Sequence, residues 1–300
     1  MSDEPDAEFD VTVELVSRLL RDQHPDLAGL PLRHETHGWD NDVFRLGDDL
    51  AVRMPRRAIA ALPMMNELAW LARLAPALPL AVPAPVRAGE PGLGYPWPWA
   101  VVPWFDGVSA ATLEPAARDV YAEPLGAFLA ALHRDAPHDA PLNPYRGTAP
   151  AERSAALHER LALLAGDGRL PTSVVDHLTR LRDDGVSAAP FSGGPVWLHG
   201  DPHPHNVVVD PTTGRIVAVI DFGDITSGDP ASDLGVAWLH FTAAGRERFF
   251  AAAGLDDADL RRRARAWGVH YALIMLQLPV GNALRPVGEH ALRQLLDERL

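Results

Sequence analysis

The sequence predicts an α+β protein in two parts, a small strand-rich amino-terminal lobe and a larger, mainly helical carboxy-terminal lobe. Three observations carry this expectation. Residues of "DVFRLGDDLAVRMP" alternate with period two, apolar stripes at helical spacing dominate beyond residue 107, and a sheet-like insert, "VWLHGD", "NVVVD" and "RIVAVIDFGD", interrupts those helices. The stretch Pro103 to Gly107 reads as a connector, which divides the chain into residues 1–104 and 105–300.

In chain order, Asp10 can cap a first helix in which Leu15, Val16, Leu19 and Leu20 recur at helical spacing, a pattern that breaks near "HPDLAG". Two strands then flank the turn Gly47-Asp48-Asp49. Alternation sets Leu50, Val52 and Met54 on one face of the second strand and Ala51 and Arg53 on the other. A helix through "ALPMMNELAWLARLA", with Leu68, Leu71 and Leu74 in one stripe, carries Glu67. In the Pro- and Trp-rich segment that follows, only "WAVV" reads as a strand. The second part opens with helical stripes at Leu125, Phe128, Leu129 and Leu132, at Leu157, Leu161 and Leu164, and at Val174, Leu178 and Leu181. Further helices follow the insert, whose last two pieces are joined by the turn "PTTG".

Composition excludes several chemistries. All 27 basic side chains are arginine, because the chain has no lysine, so a GK[ST] phosphate loop, a Schiff base and a lysine-activated serine are ruled out. The absence of cysteine removes disulfides, thiolate nucleophiles and cysteine-ligated zinc. A net charge of -13 argues against nucleic acid or an anionic membrane as partner and favours a small, cationic ligand. The acidic amino terminus "MSDEPDAEFD" lacks the pattern of a secretory signal, and no apolar stretch is long enough to span a membrane, so a cytoplasmic location is expected.

Chemistry concentrates in "WLHGDPHPHNVVVD", residues 197–210. Its histidines could hold zinc, as in a metallohydrolase, although their order and spacing match no zinc pattern. Asn206, together with an aspartate at the end of "VIDFGD", supplies hard oxygen ligands better suited to magnesium. His199, Asp201 and Asn206 form His-x-Asp-x-x-x-x-Asn, and Asp221-Phe222-Gly223 follows the next hairpin. The pair resembles the catalytic loop and metal motif of the protein-kinase-like fold, in which phosphoryl transfer needs a carboxylate beside the attacking hydroxyl and oxygen ligands for magnesium. In the amino-terminal part, Leu50-Ala51-Val52-Arg53 occupies the place of that fold's Val-Ala-Ile-Lys strand, with Arg53 for the usual lysine and Glu67 as its partner. The loop "THGWDND" has one glycine, Gly38, and the backbone amides around Asp40 and Asn41 would cover the phosphates.

Across nearly its whole length the chain resembles the aminoglycoside phosphotransferase family, which includes antibiotic and small-metabolite kinases. The resemblance rests on "HGDPHPHN", "IDFGDITSGDPASDLG" and "GWDNDVFRLGDDLAVRMP". It implies a bilobal fold that moves the γ-phosphate of ATP or GTP, with Mg2+, to a hydroxyl of a small molecule. Asp201 would be the catalytic base or hydroxyl orienter, and Asn206 and Asp221 the magnesium ligands. Arg53, held by Glu67, would meet the nucleotide phosphates, and Ala51 and the hinge from Val102 to Trp104 would take the adenine. Pro103 has no amide hydrogen, so a hinge hydrogen bond must come from a neighbour. His205 stands where the family usually has glycine. Asp229 and Asp233 match the family's "GDPxxDL" and are read as braces of the catalytic loop through backbone hydrogen bonds. Gly200 replaces the arginine with which protein kinases dock a phosphorylated loop, so a protein acceptor is not expected. The acceptor stays open between an aminoglycoside, a macrolide to which "GYPWPW" could be apolar enough to bind, and a choline- or homoserine-type metabolite. A catalytically idle nucleotide-binding module is the other reading.

Overall fold

The computed structural model describes residues 6–255 and 257–299, so the first five residues of the acidic amino-terminal segment lie outside the described residues. The chain is α+β and divides into two compact units. One comprises the residues up to Pro76, Ala81–Asp106 and Asp221–Gly223; the other comprises Ala77–Leu80, Gly107–Ile220 and the chain from Asp224 onward.

The first unit is built on the alternation visible in sequence. Strands β1 (Leu32–His37), β2 (Asn41–Leu46), β3 (Leu50–Pro55), β4 (Arg87–Gly89) and β5 (Trp99–Pro103) form an antiparallel sheet in the order β1-β2-β3-β5-β4. β1 and β4 escape sequence reading because both are edge strands, mostly polar or exposed, without an alternating apolar face. Helix α1 (Val13–Gln23) is capped by the hydroxyl of Thr12, not by Asp10; Thr12 accepts from the Leu15 amide at 3.2 Å, which starts the helix two residues closer to its apolar stripe.

Period two gives β3 two different jobs. Val52 and Met54 enter a core with Phe44, Trp99, Val101 and the buried face of α1, while Ala51 joins Met64, Ala100 and Val102 on the opposite side. Met64 lies on helix α2 (Ala61–Leu74), whose buried positions are Met64, Glu67, Leu71 and Leu74, with Leu68 half-buried. Arg53 and Glu67 therefore come from a strand and a helix that share one small core.

The second unit is mainly helical. It contains the short strand β6 (Val108–Ser109) and helices α3 (Pro115–Arg118), α4 (Ala122–Leu132), α5 (Ser154–Gly166) and α6 (Thr172–Ser187). Next come β7 (Val196–Leu198), β8 (Val207–Val209), β9 (Ile216–Val219) and β10 (Thr226–Gly228). Helices α7 (Ala231–Leu234), α8 (Ala237–His240), α9 (Ala243–Ala252), α10 (Ala258–Gln277) and α11 (Arg285–Leu296) complete it. α4, α5 and α6 carry the expected stripes. The insert is not one sheet: β7 pairs with β10, whereas β8 and β9 pair with each other and with β6. The chain after β7 turns at Gly200 into a 3-10 turn at Pro204–Asn206, which separates β7 from β8. Among the described residues no helix is long and apolar enough to cross a membrane.

Candidate active site

The catalytic-loop candidates lie in the second unit. His199 and Gly200 follow β7, and both of their amides are held by one carboxylate. Asp233 on α7, 0% exposed, accepts from the His199 N–H at 2.8 Å and the Gly200 N–H at 2.9 Å, while His133 lies 3.1 Å from its Oδ2. Gly200 has φ 92°, and a Cβ there would come within 2.2 Å of the Asp224 carbonyl oxygen, so the tight turn needs glycine. Asp233 thus braces the loop as expected. Asp229 does not. Its carboxylate pairs with the buried Arg263 of α10 at 2.8 Å and accepts from the Ala231 amide, so it ties helix to helix. The arginine that claims it lies beyond the reach of any local motif.

The turn presents Asp201, whose side chain is 29% exposed. Its Oδ1 lies 3.3 Å from Arg146 Nη2, and its Oδ2 lies 3.7 Å from His203 Nε2. Burial works to raise the Asp201 carboxyl, but the Arg146 guanidinium, helped by His203 and His199, outweighs it and holds the group below the usual carboxylate range. Arg146 also bonds Asp224 at 3.2 Å and lies 5.5 Å over the Tyr271 ring, and Asn143 fixes the other oxygen of Asp224 at 2.9 Å. Arg146, Asp224 and Asn143 have no counterpart in the sequence-based site. No spacing links "NPYRG" to the catalytic loop; only the fold does.

Asn206 ends the 3-10 turn and begins the hairpin. Its Nδ2 donates to the Asp201 carbonyl at 2.9 Å, which orients the side-chain amide, and its backbone carbonyl accepts from the Ile220 amide at 2.9 Å. That last bond registers Asn206 against the residue before Asp221. The histidines are engaged mainly with backbone, His203 also facing Asp201. His199 takes the Asp201 amide on Nδ1 and gives Nε2–H to the Ile220 carbonyl; His203 takes the His205 amide on Nδ1; His205 gives Nε2–H to the Ala283 carbonyl at 3.0 Å. The side chain of His205 thereby ties the loop to the segment between α10 and α11. Among the described residues no group of three histidines, aspartates or glutamates gathers as a metal-ligand set, which removes the basis for the histidine-zinc reading.

The first unit holds a second cluster. The Arg53 guanidinium on β3 bonds Glu67 of α2 through Nη1, and its Nη2 lies 3.7 Å from Asp221 Oδ1. Burial alone would lower the Arg53 pKa, but Glu67 and Asp221 hold it above its ordinary value, fully charged. Asp221 is half exposed and has φ 64°, a left-handed conformation that Asp tolerates better than most residues. Its carboxylate and the free Asn206 Oδ1 are each the hard, anionic or carbonyl-type oxygen that magnesium prefers. Ala51 and Val102 are buried and paired across β3 and β5. The Trp104 amide donates to the Asp49 carbonyl at 2.8 Å and its indole N–H to Asp106, so Trp104 has no spare donor of its own. Asn41 closes the loop between β1 and β2 by accepting the Gly38 amide at 2.9 Å, and its own Oδ1 is buried without a partner.

Comparison with known proteins follows the same lines. The profile of the phosphotransferase enzyme family (APH) matches residues 33–267. The GDP and kanamycin complex of APH(2")-IIia has 19% identity and a TM-score of 0.67, with 95% of this chain and 99% of that chain covered. The ADP-bound aminoglycoside phosphotransferase APH(2'')-Ib has 18% identity and a TM-score of 0.59, covering 95% and 98%. The macrolide 2'-phosphotransferase MphH from Brachybacterium faecium, as apoenzyme, has 23% identity and a TM-score of 0.57, covering 96% and 99%. At these identities the likeness shows a shared fold.

Proposed function

The chain belongs to the phosphotransferase enzyme family, and from that premise we propose that it transfers the γ-phosphate of ATP or GTP to a hydroxyl of a small molecule, with the part up to the hinge holding the nucleotide and the helical part the acceptor. The observation that carries the proposal is the held carboxylate of Asp201: braced from behind by Asp233, kept ionised by Arg146, and still open to a ligand.

In this reading the acceptor hydroxyl donates to Asp201, which fixes the oxygen lone pair toward the γ-phosphorus. As the new O–P bond forms and the bond to the leaving nucleoside diphosphate breaks, the hydroxyl proton passes to Asp201. A carboxylate held below its ordinary range is a weaker base than a free one, which suits a role in orientation and negative charge at a loose transition state in which the proton leaves late. Asn206 and Asp221 would hold magnesium, which when bound supplies charge neutralisation on the nucleotide phosphates. Arg53 would meet those phosphates as a planar fork, one arm spent on Glu67 and the other, 3.7 Å from Asp221 Oδ1, turned toward the proposed metal ligand. Ala51, Val102, Trp104 and Asn41 would line the nucleotide; with Trp104 committed and Pro103 lacking an N–H, the base must be held chiefly by shape and by backbone carbonyls.

The supporting kinase neighbours bind GDP, ADP, kanamycin or are macrolide enzymes, which makes antibiotic hydroxyls the first acceptors to try. Purified protein incubated with magnesium and ATP or GTP against aminoglycosides, macrolides and amino alcohols should yield a phosphorylated acceptor by mass spectrometry. Nucleotide bound but never consumed, with every acceptor unchanged, would identify an idle binding module instead.

A further inference from the structure

Buried polar atoms without partners gather at one place in the helical unit. On α10 the Trp267 Nε1–H and both ring nitrogens of His270 make no hydrogen bond, although each residue is only 1% exposed. The two rings meet edge-on at 5.3 Å. Native interiors rarely leave such groups unmatched, and each unmatched one is costly. α5 and the 3-10 turn Pro150–Arg153 pack against α10 and bring Arg153 and Arg160, whose Nε–H groups are also buried and unpartnered.

The charges here are not balanced. Arg146, the neighbouring cation, is divided between Asp201 and Asp224. Arg153 instead lies over the Tyr145 ring at 5.3 Å, and Arg160 donates to the Ala156 carbonyl, so neither is neutralised by a carboxylate ion pair among the described residues. Burial, Arg153, Arg160 and Arg146 together depress His270 to about 3, so its ring is neutral and keeps one N–H to donate. The result is a cluster in which two guanidinium N–H groups, an indole N–H and one imidazole N–H face no anionic acceptor, the other His270 nitrogen being a neutral acceptor, one arginine removed from the carboxylate that faces the reacting hydroxyl.

We propose that Arg153, Arg160, Trp267 and His270 form an anion subsite that binds a carboxylate-type oxyanion carried by the acceptor, so that the acceptor is a hydroxylated acid and not a polyamine. The inference rests on the phosphotransfer reading for its link to Asp201, but the subsite itself does not. An ammonium group entering here would meet two guanidiniums that no carboxylate pairs with directly, Glu159 acting on Arg160 only at longer range, whereas an oxyanion would satisfy the orphaned donors and the charge together.

The test uses three probes of similar size, gluconate, sorbitol and glucosamine, titrated calorimetrically into the whole protein without nucleotide. Gluconate should bind about tenfold or more tighter than the other two, the worth of one charge-assisted hydrogen-bond set. The double variant Arg153→Gln/Arg160→Gln should lose that preference, and Arg153→Lys/Arg160→Lys should recover part of it, which a purely structural role would not do. In 15N spectra the Trp267 indole N–H should shift with gluconate and stay still with sorbitol. Equal affinity for the three probes, no gluconate binding, or full gluconate preference in the Gln variant each overturns the subsite. Because these readings need no turnover, absent phosphotransfer with intact gluconate preference would sink the kinase reading alone, and the converse would sink the subsite alone.

Discussion

Replacing Asp233 with asparagine separates loop bracing from ordinary stability. Its two oxygens take three donors: Gly200 N–H on Oδ1, and His199 N–H and the His133 ring on Oδ2. An asparagine keeps one carbonyl oxygen, so in either amide orientation a buried backbone N–H of the loop meets an NH2 group and loses its acceptor. One unsatisfied buried donor costs about 1–3 kcal/mol, and the remaining bonds lose their charge assistance, for a total of about 3–5 kcal/mol. The left-handed turn at Gly200 is then free to relax, and a shift of about 1 Å at Asp201 is enough for a loss of about 10²-fold in kcat. The comparison variant is Asp229→Asn, which breaks a buried ion pair with Arg263 at a similar cost but leaves the loop amides untouched. Thermal melting and steady-state kinetics on both variants, assayed well below their melting temperatures, should show two destabilised proteins of which only Asp233→Asn loses kcat, with the nucleotide KM little changed. Wild-type turnover in Asp233→Asn, or an equal kcat loss in Asp229→Asn, would show that Asp233 does not hold the catalytic loop in place.

Three further outcomes follow. Arg146→Gln removes the main group holding Asp201 down and leaves burial to push it up, so the acid limb of the kcat/KM profile should move to higher pH; a limb that stays or moves lower contradicts this assignment. Glu67→Gln leaves the buried Arg53 without its carboxylate partner, which should cost about 3 kcal/mol in stability and raise the nucleotide KM more than it lowers kcat, read from melting and initial rates; an unaltered KM would remove Arg53 from the phosphate role. His240, His270 and His290, lowered mainly by burial to about 3, 3 and 4, stay neutral in the fold but protonate in the unfolded chain below about pH 6.5. Their folded values are depressed, so the stability they contribute is complete above that pH and falls below it by about 1.4 kcal/mol per group per pH unit; melting temperatures unchanged between pH 7 and 5 would show otherwise.

Much of the site was legible because its parts are close in sequence or joined by a simple repeat. Asp201, Asn206 and Asp221 lie on one loop and one hairpin, and the alternation of β3 fixed the face of Arg53 before Glu67 could be placed opposite it. What stayed hidden depends on contacts between distant segments. Arg146 comes from a proline-flanked loop whose only tie to Asp201 is spatial, and Arg263 claims Asp229 from the middle of α10. The strands β1, β4, β6 and β10 are short or polar and take their form from the neighbours they pair with, so local pattern could not announce them. Thr12, and not Asp10, caps α1 because it stands immediately before the first helical residue, within reach of the Leu15 amide.

The most direct test of the central claim is single-turnover phosphate transfer by Asp201→Asn, with nucleotide affinity measured on the same protein. Transfer should fall by about 10²- to 10⁴-fold with nucleotide binding retained. Transfer at the wild-type rate would show that Asp201 does not position the attacking hydroxyl.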